Sequence, residues 1–376
     1  MYLVDKRFLR AHTADGWTRP IELAVHLTEP SRWGEPELTE LNALLGMLTS
    51  DRWTISVRDG AWPPQPGLDF GRAGEVALFS GGLDSTAYAV HAARRGGTRL
   101  LLLAFDDALQ ARQREIAVRI ERVAEREVRL LSVGQTVAGG PSGDGLEPSS
   151  RSRGFLYTAG GIYVAAAHQL TEVAVPENGQ LAVNPPLMPG RLGALSTRSV
   201  HPWTLSLMNR LITGIGGDVR VVNPLLDSTK GEVCRLALDA NLDRTMLERT
   251  ISCGNPRDKR FAGFDNCGRC FPCLVRRSGL IHANGADSTP YRYDLADLAV
   301  VEKPSRDLRA LMRWLSTSFG LRDLIADSPF PPDVLPPTVL PVLHRGRREL
   351  ATMIERLVPN DHPFRQGWAP VIEPAT

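Results

Sequence analysis

Lysine is almost missing from this chain. Of 376 residues only Lys6, Lys230, Lys259 and Lys303 are lysine, so arginine supplies nearly all of the 44 basic charges. Against 42 acidic residues the formal net charge is +2. That excludes a broad basic face for nucleic acid, though not a local groove. Cysteine is scarce too: five residues are too few for a disulfide scaffold. No apolar run approaches the length of a membrane span, and the first residues show no signal-peptide segment. The 43% hydrophobic and 23% charged content is ordinary globular composition, and the expected location is the bacterial cytoplasm.

The few cysteines lie together. Cys253, Cys267, Cys270 and Cys273 share one polar stretch, and four thiolates close a tetrahedral zinc site. The three at two-residue gaps also fit an iron–sulfur cluster. The charged, flexible loop Pro256-Arg257-Asp258-Lys259-Arg260 between them suits a zinc ribbon. Cys234 stands apart in an apolar helical pattern and reads as a buried, inert thiol.

The rest of the chain is organised around Val76 to Tyr88. Val76-Ala77-Leu78-Phe79 reads as a short buried strand, Ser80-Gly81-Gly82 as a turn, and Leu83 to Arg95 as a helix. In that geometry consecutive backbone N–H groups converge on an anion at the helix N-terminus. Ser80, Ser85 and Thr86 add hydroxyls; Asp84 caps the helix or holds Mg²⁺. No lysine follows the glycines, so this is not a Walker A loop. Ser80-Gly81-Gly82-Leu83-Asp84-Ser85 after a strand resembles the PP-loop of ATP pyrophosphatases, which cleave ATP between the α- and β-phosphates.

Residues 1–70 read as a small α+β accessory domain, with strands at Ile21–Leu27 and Trp53–Val57 around a leucine-spaced helix and a proline-rich linker after it. From 74 to 250 strands alternate with helices, the pattern of an α/β domain with a parallel sheet. Its expected strands are Val76–Phe79, Leu100–Phe105, Val128–Val133, Glu172–Val175 and Val219–Val222. Residues 134–152, rich in glycine, read as a mobile loop. Residues 251–284 hold the cysteines. Residues 285–376 read as a C-terminal accessory segment with helices near Leu308–Phe319 and Arg345–Leu357, separated by proline-rich connectors.

A PP-loop followed by four clustered cysteines resembles 7-cyano-7-deazaguanine synthase, QueC, over about residues 74–283. Phe105-Asp106 with Gln113-Arg114-Glu115, Asn223-Pro224-Leu225 with Lys230-Gly231-Glu232, and Arg276 match further family segments. Arg151 or Arg153 matches an arginine before a small-residue helix. The resemblance implies ATP, Mg²⁺ and Zn²⁺ as cofactors and 7-carboxy-7-deazaguanine as substrate, with ammonia giving the nitrile. The chain departs from the family at Pro176-Glu177-Asn178-Gly179 through Asn184-Pro185-Pro186-Leu187 and at Ser196-Thr197-Arg198 to His201-Pro202. That pattern is similar to the QueC-like proteins of anti-phage operons of the Qat and CBASS types, which implies an amide ligase acting on a partner protein's N-terminus.

On that resemblance Ser80, Gly81, Gly82, Leu83, Asp84, Ser85, Thr86 and Phe105 bind ATP. Asp84, Lys230, Arg198 and His201 are the expected catalytic groups, His201 as proton acceptor from the amine. Glu177, Asn178, Arg153 and Arg198 are expected to read the substrate. Cys253, Cys267, Cys270 and Cys273 are the expected zinc ligands. A homodimer is among the expectations; membrane and nucleic-acid partners are not. A tRNA-modifying PP-loop enzyme and an inactive nucleotide-binding scaffold stand as alternatives.

Overall fold

The structure, a computed structural model, describes residues 1–62, 71–105, 109–138, 145–187, 198–255, 263–297, 306–327 and 329–373. Helix α1 (Tyr2–Arg7) leads to strand β1 (Pro20–Leu27), helix α2 (Glu35–Thr49) and strand β2 (Arg52–Asp59). β1 and β2 pair in parallel, Pro20 opposite Arg52 and Leu27 opposite Asp59, with α2 as the crossover. A two-stranded sheet buries too little to stand alone. Leu41 and Leu45 of α2 pack on Ile21, Trp53 and Ile55, while Leu44 and Leu48 enter the core of the main sheet beside Val76 and Leu101. Residues 1–62 therefore share a core with the rest of the chain instead of enclosing one of their own. The linker expected after Trp62 lies outside the described residues.

The main sheet holds β3 (Glu75–Leu78), β4 (Leu100–Ala104), β5 (Val128–Ser132), β6 (Glu172–Ala174) and β7 (Arg220–Val222). All neighbours pair in parallel in the order β5-β4-β3-β6-β7. The order reverses beside β3, which opens a crevice beyond its C-terminal end. Helices α3 (Leu83–Arg94) and α4 (Gln110–Ala124) cover one face, and α5 (Arg153–Ala167) and α7 (Pro202–Gly214) the other. The short α6 (Gly179–Val183) follows β6. Helices α8 (Lys230–Asp239), α9 (Arg244–Glu248) and α10 (Phe271–Asn284) extend the first face. The α/β parallel-sheet expectation is met.

The C-terminal segment adds α11 (Arg306–Leu315), α12 (Leu321–Asp327) and α13 (Pro336–Leu357). Leu308, Leu311, Leu350 and Ile354 share one core with Phe271, Leu274 and Val275 of α10, so this segment packs on the helices beside the main sheet. Two details differ from the sequence reading. α12, which ends where the first proline-rich connector begins, has no counterpart in the sequence reading, and α13 starts at Pro336, nine residues before the expected Arg345. Prolines in a first helical turn lack N–H groups that the turn leaves unpaired anyway.

Residues 145–152 also differ from expectation; of the glycine-rich stretch, 139–144 lie outside the described residues. Glu147 and Ser152 are buried. The Arg10 N–H donates to Glu147 at 3.0 Å, and the Ser152 N–H and hydroxyl both donate to Asp5 at 2.9 Å. These bonds tie residues 147–152 to the first helix and its flank. No helix among the described residues is long and apolar enough to cross a membrane.

Candidate active site and metal centre

β3 runs into the Ser80–Gly82 turn and then directly into α3. Gly81 has φ +74°, where a side chain is strained, and a Cβ there would press on Gln113. The Gly82 N–H donates to Ser80 Oγ at 3.1 Å and the Leu83 N–H to Ser252 Oγ at 3.4 Å. Ser80 and Ser85 hydroxyls lie 3.2 Å apart. Three hydroxyls and the first N–H groups of α3 thus surround one point, the arrangement an anion needs.

That point opens into a cavity of about 650 Å³ whose wall includes Ser80, Gly82, Leu83, Asp84, Ser85 and Lys230. Ser80, Ser85, Arg153, Pro176 and Glu177 also line a second lobe of about 300 Å³. The second lobe is apolar at its base: Leu78, Leu103, Phe105 and Tyr157 line it, and the Phe105 and Tyr157 rings stack at 4.8 Å. An aromatic slot joined to a polar chamber across a phosphate-type loop suits a purine nucleotide with a second substrate beside its phosphates.

At the junction of the lobes stands a buried charged group. Lys230 Nζ donates to Asp84 Oδ2 at 2.5 Å, and Asn178 Nδ2 donates to Asp84 Oδ2 at 3.0 Å and to Glu177 Oε1 at 3.1 Å. Burial alone would raise Asp84, but Lys230 and the hydrogen bonds from Glu177 and Asn178 hold it below its ordinary range. Burial and the adjacent Asp84 charge push Glu177 well above its ordinary value. The two shifts run in opposite directions, so of the pair it is Glu177 that holds a proton to higher pH. Lys230 reaches Asp84 because α8 and α10 pass closely at Gly279, where a Cβ would collide with the Lys230 backbone. Asp84 does not cap its helix: Gly82 is the N-cap and no side chain bonds there.

Of the other expected residues, Arg153 and Arg198 line the cavity; Arg198 Nη1 donates to the Asp327 carbonyl at 2.9 Å. Arg151 turns away to the Thr49 carbonyl, at 2.8 Å, and stacks over Trp17. Thr86 is fully buried with Oγ1 unpartnered, and neither it nor Gly81 is on the cavity wall. His201 is off the wall as well. It caps α7, its Nδ1 accepting from the Trp203 N–H at 3.1 Å, and burial pushes it down to about 3. The expectation that it takes a proton in the site finds no geometric support. Asp106, Ser196 and Thr197 lie outside the described residues.

The sequence reading gave three residues of the site no role. Ser252 sits beside the cysteines, where its neighbour was the signal. Asp307 of α11 lines the chamber and accepts from the Phe271 N–H at 3.0 Å. Gln180 accepts from the Lys230 N–H at 2.8 Å. Nothing local marks Asp307, and Gln180 lies in the stretch where the chain departs from the family pattern.

The four cysteines converge as expected. Their sulfurs all lie within 4.8 Å of one another, Cys253 to Cys270 at 4.0 Å and Cys267 to Cys273 at 3.9 Å. Tetrahedral zinc with bonds of about 2.3 Å places its sulfurs about 3.8 Å apart, so the set fits one ion. A multi-iron cluster would spread them further. Cys253 and Cys270 also line the chamber, which ties the metal centre to the substrate wall.

Comparison with known proteins follows the same lines. The model of the queuosine biosynthesis protein QueC matches residues 202–284. The 7-cyano-7-deazaguanine synthase of Methanothrix thermoacetophila is 28% identical over 245 residues, 59% of this chain and all of that protein. That of Kineococcus radiotolerans is 26% identical over 230 residues, 58% of this chain and 97% of its own length. These matches support membership of the QueC family. The QueC model ends at residue 284, before α11, α12 and α13. Asp307 in the chamber wall lies outside the stretch that the QueC model matches.

Proposed function

We propose that this QueC-family protein activates the carboxylate of a 7-deazaguanine acid, 7-carboxy-7-deazaguanine first of all, with ATP and joins it to an amine. One observation carries the reading: the aromatic lobe and the polar chamber meet across the Ser80–Ser85 loop with Glu177, Asp84 and Lys230 at the junction. A carboxylate is a poor electrophile. Its oxygen attacks the ATP α-phosphorus, pyrophosphate leaves, and the acyl-adenylate carries AMP as a good leaving group. The amine, having lost one proton, adds to the acyl carbon, loses a second, and expels AMP.

The Ser80, Ser85 and Ser252 hydroxyls hold phosphate oxygens, Ser80 and Ser252 oriented by the Gly82 and Leu83 N–H groups, and Arg153 and Arg198 bring positive charge. Asp84 Oδ1 is buried and meets no N–H or O–H donor apart from a proton on Glu177. The two carboxyls fit a divalent cation, and Mg²⁺ there would neutralise the polyphosphate. Glu177, which lines both lobes, faces a guanine-like edge, and Asn178, buried and off the wall, braces Glu177 and Asp84 from behind. The cysteine centre fits zinc with no open position, a structural role.

Ammonia is the amine that the relatives' name implies, with the amide then dehydrated through a second ATP. A larger amine, the N-terminus of a partner protein in an anti-phage system, is the other acceptor that the same activation step would serve. A secondary amide cannot become a nitrile. Purified protein with ATP, 7-carboxy-7-deazaguanine and labelled pyrophosphate should incorporate label into ATP. Mass analysis with ammonium, and with the product of a neighbouring gene, then identifies the acceptor. No exchange with the acid overturns the proposal.

A further inference from the structure

The C-terminal helix α13 packs against α6, α8 and α10. Its contact with α8 is specific. Glu349, 4% exposed, accepts from the Gly231 N–H at 3.1 Å and from the Thr229 hydroxyl. One turn earlier Gly346 lies against Gln180, and a Cβ at Gly346 would run into that side chain. Gln180 in turn accepts from the Lys230 N–H at 2.8 Å. The first N–H groups of α8, on either side of the Lys230 side chain, are therefore held by α13, one directly and one through Gln180.

We infer that Glu349 is a positioning residue: together with Gly346 it sets where α8 begins, and so where Lys230 meets Asp84. This rests on the proposed reaction only in taking Lys230–Asp84 as its centre. It makes the C-terminal segment part of the adenylation site, where the sequence had pointed to an accessory role. Deleting α13 would then stop activation itself, before any acceptor is met.

The chemistry gives the contact a pH dependence. Burial pushes Glu349 up to about 7. The groups facing it are Thr229, Glu232 and Cys234 of α8, His282 of α10 with Nε2 at 4.0 Å, and Arg345 of α13. Ionised, its carboxylate takes charge-assisted bonds from Gly231 and Thr229; protonated, it holds them less firmly. Positioning is thus strongest above the folded-state value and weakens as the pH falls through it.

Lysine scarcity supplies the probe. Selective ¹⁵N-lysine labelling gives at most four backbone amide signals, and Lys6→Arg, Lys259→Arg and Lys303→Arg assign Lys230 by elimination. The Lys230 signal should shift in Glu349→Ala and Gly346→Ala at fixed pH. In the wild type it should titrate near pH 7, as burial of Glu349 implies. Glu349→Gln, nearly isosteric and uncharged, should lose that step, and His282→Gln should keep it. Pyrophosphate exchange in Glu349→Ala should fall between about tenfold and a hundredfold with KM for ATP little changed. If Glu349→Ala fails to fold, Glu349→Gln and Gly346→Ala carry the test. An unmoved Lys230 signal in the folded variants overturns the inference. A wild type without exchange whose Lys230 signal still moves overturns the proposed reaction and leaves the positioning intact.

Discussion

Lys230 and Asp84, 146 residues apart in the chain, meet at 2.5 Å with both side chains almost excluded from solvent. A buried ion pair in a cleft marks a functional site more often than a stabilising one, because desolvation cancels most of its attraction. The surrounding polar groups, Asn178 and Glu177, complete a set whose net charge changes with one proton or one cation.

Removing the cation alone is therefore costly. Lys230→Met should lose pyrophosphate exchange and destabilise the fold by about 3–5 kcal/mol, the usual penalty for an uncompensated buried charge. Asp84→Asn together with Lys230→Met should recover most of that stability and none of the exchange. Urea unfolding of the single and double variants measures it. Equal stability of Lys230→Met and wild type would show the pair to be solvated.

Glu177 makes stability depend on pH with a definite sign. Its folded-state value lies well above the ordinary 4.5, so the folded chain binds this proton more tightly than the unfolded one. The contribution is full below the unfolded value and is lost as the pH rises through the folded one. Glu177→Gln should flatten that part of the profile. Thermal melts from acid to alkaline pH test this, and an identical slope in the variant would contradict it.

The cysteine centre should hold about one zinc ion per chain and leave the protein colourless. Cys270→Ser, or a strong chelator, should lower Tm, because metal binding is coupled to folding. Since Cys253 and Cys270 line the chamber, the acid should bind more weakly as well. Iron with labile sulfide in protein purified without oxygen would establish a cluster instead.

The N-terminal unit should melt with the main sheet in one transition. Asp51 accepts from Arg10 at 2.7 Å and from Arg19 at 2.6 Å, and Asp51→Ala leaves two buried guanidinium groups short of charge. The expected loss is about 3–5 kcal/mol with a single calorimetric peak. Two separated peaks would show that residues 1–62 fold independently of the shared Leu44 and Leu48 core.

What the sequence determined by itself was local. Ser80-Gly81-Gly82-Leu83-Asp84-Ser85 announces an anion loop because a glycine turn between an apolar strand and a helix start is a short-range pattern. The alternating strands and helices announce a parallel sheet for the same reason, and close cysteine spacing announces a metal centre. Only the tertiary structure decided which polar residues face the cavity. Thr86 and Ser85 are neighbours in one motif, yet helical rotation turns the first into the core and the second to the chamber. His201 and Arg198 lie within one short stretch, yet His201 caps a helix while Arg198 lines the wall. Lys230, Glu349 and Asp307 come to the site through the order of strands and the packing of α8, α10, α11 and α13. Such contacts join segments from 36 to 146 residues apart, and their energy comes from burial and hydrogen bonds that no local pattern encodes.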